Sequence, residues 1–470
     1  MGLRISSAVA LYLLAGSFLS LIVVFYRFQG DSAGHFSAGW GWVAALILVS
    51  LFALACASLL SHYRHVRLTG SKQFRLALSM GIVVVAMCLI SGEVMIRVLA
   101  EETPEGPLLG NTILLPRDWA RVLAHRRALW ESTVREYGVF TQDETLGWTV
   151  GRNRQGGGPH GESYFSNEDG LRTQQKGVSL RDQSVTLRIA ILGDSYTFGE
   201  DVNFEDTWGH QLEILMGPGV QVLNFGVPAY GIDQAYLRYL REVRAWHPDI
   251  VILSFISHDL VRSGMVYYWI GFPGAAVPGA KPRFSLAGEA LTLLNSPLPS
   301  PEQLHSTSTI DQLPFIQFDS AYNPPDWQWH VYQYSYLLRF AISWQVNPAS
   351  PSYELGQDVQ KINEALLRSF VSTAQGAGSL PMVAFLPEYT EFQHSSGTIL
   401  ERNLLGRRVA QEAGVEIFDL TSCVEAVAKS DRFTTGWHYT AQANGAVARC
   451  LRAQIMKSLA VAPQRKSASQ

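Results

Sequence analysis

Charge is scarce in this chain: Asp, Glu, Lys and Arg make up 16% of its 470 residues, against 47% hydrophobic residues. The two signs nearly cancel, leaving a formal net charge of −3. That balance gives no footing for a nucleic-acid partner, which needs a basic face or stripe. Cysteine is rarer still, at four residues. No CxxC spacing and no Cys/His cluster suggests zinc, so neither a metal nor a cofactor is expected. No internal repeat is visible.

What is plentiful is apolar sequence, and it sits in the first hundred residues. Segments 8–28, 39–60 and 76–99 are each long enough to cross a bilayer core of roughly 30 Å as a helix. The first differs from a cleaved signal peptide: Arg4 is its only basic residue, no convincing cleavage site follows, and two comparable segments come after it. Between the second and third segments lie Arg64, Arg67, Lys72 and Arg75, whereas the first loop carries Asp31 and no Lys or Arg. Positive loops stay cytoplasmic, so three crossings put everything after about residue 101 outside an inner, cytoplasmic membrane. Glu93 and Arg97 lie one helical turn apart and read as an interfacial ion pair. Cys423 and Cys450 fall in the outward part, where oxidation is permitted. They bracket His438, and a disulfide between them would staple that loop; two buried free thiols are the alternative.

The outward part changes rhythm twice. Residues 104–137 look helical and linker-like, and 140–181 are punctuated by Gly and Asn as short hairpins are. From 185 onward, apolar strands at 186–192, 220–224, 249–255, 381–386 and 415–420 alternate with helices at 207–216, 231–246, 354–375, 398–413 and 441–459. Continuous apolar strands between helices mean a mostly parallel sheet covered on both faces, a three-layer α/β sandwich. The rhythm breaks over 261–345, read as an insertion with a hairpin near Ala287-Gly288 and an aromatic-rich helix at 327–344. The expected organisation is a membrane domain at 1–103, a linker and hairpin region at 104–184, and the α/β domain at 185–470.

Residues 191–199 read Ile-Leu-Gly-Asp-Ser-Tyr-Thr-Phe-Gly. A serine just past a buried strand lies at the carboxyl edge of the sheet, where open α/β folds bind ligands. This block resembles the first block of the GDSL/SGNH hydrolases. Residues 224–231, Asn-Phe-Gly-Val-Pro-Ala-Tyr-Gly, resemble the second block, and 253–259, Leu-Ser-Phe-Ile-Ser-His-Asp, stand in place of the third. Residues 437–445, Trp-His-Tyr-Thr-Ala-Gln-Ala-Asn-Gly, resemble the last. The blocks keep the family's order.

The resemblance implies an SGNH-like fold, Ser195 as nucleophile and His438 as its general base. It also implies an oxyanion hole that includes the N–H groups of Ser195 and Gly226. Two positions depart from the family pattern. His258 stands where an Asn usually completes the hole, and imidazole can donate in its place. Thr435 stands where the acid usually lies three residues before the histidine, which leaves Asp431 or a backbone carbonyl to orient His438. Asp194 is expected to brace the turn and Asp419 to be structural.

The implied activity is attack by Ser195 on an O-acyl ester, O-acetyl first, of an extracytoplasmic glycan or envelope substrate. A transferase using the same residues and an inactive binding or assembly protein of the envelope are the alternatives. The implied partners are the bilayer, the acylated substrate and unspecified envelope proteins.

Overall fold

The computed structural model describes residues 70–467, apart from 111, 137, 182–183, 278, 347–354 and 393–404. The chain divides into two units, one of Met1–Val122 with Asn323–Pro351, the other of Leu123–Tyr322 with Ser352–Gln470. Part of the stretch expected as an insertion, from Asn323 on, therefore belongs with the N-terminal unit.

The second unit holds a five-stranded sheet. Its strands are β1 (Leu187–Leu192), β2 (Val220–Asn224), β3 (Ile250–Phe255), β4 (Leu380–Phe385) and β5 (Phe418–Asp419), in the order β2-β1-β3-β4-β5. Every pairing is parallel, with Ile189 opposite Ile250 and Ile250 opposite Leu380. Successive side chains of a strand point to opposite faces, and here both faces are buried. Ala190, Leu192, Val251, Leu253 and Phe255 pack against α2 (Ile232–Arg241), α3 (Gln357–Gly376) and α4 (Leu405–Glu412). Ile189, Ile191, Ile250 and Ile252 pack against α1 (Trp208–Met216) and α5 (Ala441–Ser467). The apolar runs in the sequence are the two faces read alternately. Because all strands run one way, the segments that follow them gather along one edge.

The first unit contains a helix at Gly70–Leu99, a small antiparallel sheet of Glu101–Thr103, Gly106–Leu109 and Thr112–Ile113, and a helix at Tyr336–Val346. The expected pair Glu93–Arg97 forms at 2.6 Å. Glu93 also caps the Tyr336–Val346 helix, accepting from Ser335 Oγ (2.7 Å), Tyr336 N–H (3.0 Å) and Leu337 N–H (2.9 Å). Among the described residues no helix is long and apolar enough to cross a membrane. Of the three expected spans, 8–28 and 39–60 lie outside the described residues. The third falls on Gly70–Leu99, of whose side chains only part is described.

Three elements differ from expectation. The residues from 104 to 113 turn back as strands, because Gly106 (φ 127°) and Gly110 (φ 58°) take conformations that favour glycine and reverse the chain. The stretch expected as one helix at 327–344 is instead 3₁₀ turns at Pro324–Trp327 and Val331–Tyr334 followed by Tyr336–Val346. There the Gln333 side chain accepts from His330 N–H (2.5 Å) in a capping box that starts a separate turn at Val331. Strand β5 is shorter than 415–420, since only Phe418 and Asp419 pair with β4. The hairpin near Ala287-Gly288 is present, with Ala287 opposite Ala290.

Candidate active site

β1 delivers Gly193-Asp194-Ser195 to the sheet edge. Glycine is required at 193, where a Cβ would collide with Ser254 O and Thr197 Oγ1. Ser195 opens a one-turn helix, Ser195–Phe198, capped by Asp194, whose Oδ1 accepts from Tyr196 N–H at 2.9 Å. Asp194 is in turn held by Arg262 (3.2 Å), which also pairs with Asp259 (2.6 Å). Asp194 thus braces the turn.

His438 Nε2 lies 3.0 Å from Ser195 Oγ, and His438 Nδ1 lies 2.9 Å from Asp201 Oδ2. The same Asp201 oxygen accepts from Thr434 Oγ1 at 2.8 Å. This is the geometry of a Ser-His-Asp triad. The carboxylate is Asp201, only six positions beyond the serine in the chain. The turn ends at Gly199 (φ 80°), and Asp201 itself has φ 63°, so the backbone doubles back beside Ser195. Gly436 completes the fit, because a Cβ there would strike the Asp201 carboxylate.

The acid expected at Asp431 is elsewhere. Asp431 closes a 3₁₀ turn, Lys429–Asp431, is exposed, and its carboxylate accepts from Ser430 Oγ at 3.0 Å. Thr435, at the family's usual acid position, meets His160 Nε2 at 3.2 Å. Asp419 pairs with Arg407 and accepts from Thr421 N–H, a structural role.

Burial alone would disfavour a charged His438, but the bond to Asp201 and the charges of Glu200, Asp201 and Asp194 raise its pKa above the ordinary value. Burial opposes ionisation of Asp201 too; its bonds to His438 and Thr434 nonetheless hold its pKa below the ordinary value. Glu200 Oε2 lies 3.5 Å from His438 Nε2, and burial pushes its pKa up.

The oxyanion side departs from expectation at Gly226. Its N–H donates to Asn224 Oδ1 (2.9 Å), because the Asn side chain folds over its own loop while Asn224 Nδ2 ties that loop to Thr197 O (2.9 Å). Glycine is still required at 226, where a Cβ would collide with the backbone of Phe198. Ser195 begins its helix, where first-turn N–H groups have no helical acceptor behind them. His258 follows β3 on the helix Ser257–Arg262. Its Nδ1 pairs with buried Glu388, and its N–H donates to Glu388 Oε1 (3.1 Å). In the imidazole tautomer whose Nδ1–H donates to the Glu388 carboxylate, Nε2 is an acceptor, which departs from the donor role expected of His258. Glu388 comes from the segment after β4, and nothing in the sequence singled it out.

Cys423 and Cys450 form a disulfide linking the short helix Thr421–Glu425 to α5 on either side of the His438 loop. Among the described residues no cluster of metal-binding side chains occurs.

No protein-family model matches this sequence, and no curated protein does. Solved structures similar to it include a member of the lipolytic protein G-D-S-L family from Veillonella parvula, at 11% identity over 57% of this chain and 97% of that one, with a TM-score of 0.29. The lipase/acylhydrolase from Enterococcus faecalis is similar at 12% identity over 57% and 95%, with a TM-score of 0.30. The acetyl xylan esterase AlAXEase is similar at 11% identity over 57% and 100%, with a TM-score of 0.31.

Proposed function

We propose that this chain is a serine ester hydrolase of the GDSL/SGNH type, anchored to the inner membrane, that removes O-acyl groups from an extracytoplasmic glycan or envelope substrate. The observation that carries the reading is the continuous path from Ser195 Oγ through His438 to Asp201, at 3.0 Å and 2.9 Å. A serine hydroxyl is a weak nucleophile until a positioned base takes its proton.

Asp201 accepts from His438 Nδ1–H, which leaves Nε2 to take the Ser195 proton as Oγ attacks the acyl carbonyl. The tetrahedral oxyanion is met by the Ser195 N–H at the start of its helix. The intermediate collapses as the departing alkoxide takes the proton from His438. Water then attacks the acyl-serine and gives its proton to His438; the acid leaves and Ser195 Oγ recovers that proton. If a sugar hydroxyl replaces water, the same steps make a transferase.

Anchoring rests on the three apolar segments and on Gly70–Leu99, which exposes Ile82, Val83, Val85, Leu89 and Ile90. Such a row suits lipid better than water. The test of the catalytic reading is acetate release from ethyl acetate by the detergent-solubilised full chain. Wild type should release acetate and Ser195→Ala should match the uncatalysed rate. Equal rates in both would end the hydrolase reading.

A further inference from the structure

The loop carrying His438 presents an aromatic surface for which the proton-transfer chain has no use. Trp437 is 54% exposed, although it lies between Gly436 and the catalytic histidine. Its backbone sits at φ 73°, a conformation that a bulky residue rarely adopts. The surroundings hold it there. Trp437 N–H donates to Thr434 O (3.1 Å), and Trp437 O accepts from Tyr196 O–H (2.7 Å). Its ring stacks on Tyr389, with centroids 5.6 Å apart and planes 1° from parallel. Tyr389 packs edge-on against Phe433 at 5.4 Å.

Tyr196 registers this pair to the nucleophile. It follows Ser195 directly, and its hydroxyl donates to Trp437 O while accepting from Tyr389 N–H (3.2 Å). The same residue packs against the His438 ring at 5.2 Å. The platform is therefore fixed to both reacting side chains. An exposed tryptophan held in a strained conformation beside a catalytic histidine points to a ligand that covers it.

We propose that Trp437, backed by Tyr389, is a sugar subsite: the C–H face of a pyranose ring lies on the indole and directs its O-acyl group to Ser195. Aliphatic C–H groups carry slight positive charge and complement the negative face of an aromatic ring. The surrounding groups have the hydroxyl-binding chemistry a sugar needs. Thr435 lies three residues before His438 and bonds to His160 Nε2 at 3.2 Å, and Glu200 lies 3.5 Å from His438 Nε2. An open platform with polar neighbours fits a glycan better than a long acyl chain, which needs an apolar channel. The assignment of the acyl group's destination rests on the esterase reading given above.

The test compares the full chain with its Trp437→Ala and Trp437→Phe variants on two acetate esters, an O-acetylated cello-oligosaccharide and ethyl acetate. The ratio of the KM for the sugar ester to the KM for ethyl acetate should rise about tenfold in Trp437→Ala and largely recover in Trp437→Phe. A purely structural role beside His438 would lower kcat on both esters and leave that ratio unchanged, which overturns the proposal. A second arm needs no catalysis: Ser195→Ala should bind the acetylated oligosaccharide in affinity electrophoresis, and Ser195→Ala with Trp437→Ala should lose that binding. Sugar binding without turnover would sink the esterase reading and keep the subsite. Turnover of ethyl acetate with Trp437-independent sugar binding would do the reverse. Trp437-dependent preference for p-nitrophenyl palmitate over the sugar ester would assign the surface to a lipid chain and overturn the proposal.

Discussion

Asp201 sets the charge on His438, and the consequence is measurable as a pH profile. Catalysis needs His438 neutral so that Nε2 can accept the serine proton. Its pKa is raised by the bond to Asp201 and by nearby carboxylates, so activity should rise with pH through a value above that of an ordinary histidine. Asp201→Asn removes the chief raising influence. The acid limb should move to lower pH while kcat falls on the order of 10³–10⁴-fold, since imidazole loses both its orientation and its counter-charge. A profile unmoved by the substitution would assign the histidine to another partner. Ser195 and His438 were legible in the sequence because each sits in a recognisable block next to a strand or helix. Asp201 was not, because the carboxylate is brought in by two backbone reversals, at Gly199 and at Asp201 itself, whose geometry no spacing rule states. The pair Gly199 and Gly436 was the available signal, each glycine marking a tight approach. Glu388 was hidden for a different reason: its partner His258 is 130 positions away.

The His438 loop is held at both ends by regular structure. It leads into α5, which buries Ala443, Val447, Leu451 and Ile455 against the sheet, and the Cys423–Cys450 bridge ties α5 to the short helix before the loop. The bridge closes a separation of 27 residues, for which loop-closure entropy gives about 3.5 kcal/mol. Replacing both cysteines by alanine should therefore lower the thermal midpoint and weaken protection of the His438 loop from proteolysis before the sheet unfolds. An unchanged midpoint would mean that the core alone fixes the loop. The parallel strands were readable because both faces are buried and most positions are apolar. Strand β5 was not, because only Phe418 and Asp419 of its apolar run pair with β4, and the turns at 324–334 were not, because a capping box at His330 starts the chain again as a separate turn.

At the scale of the whole molecule, an apolar N-terminal hundred residues precede a domain whose candidate site lies along one edge of a parallel sheet. The apolar segments predict that the full chain stays with membranes after alkaline carbonate washing, whereas a chain starting near residue 104 is released. Release of the full chain would remove the anchor and leave the active site untouched. The central claim, an activated Ser195, is tested most directly by labelling the full chain with a fluorophosphonate probe at neutral pH. Wild type should carry the label on Ser195, Ser195→Ala should carry none, and His438→Ala should label far more slowly. A folded wild-type chain that stays unlabelled, or one whose His438→Ala variant labels as fast, would contradict the account.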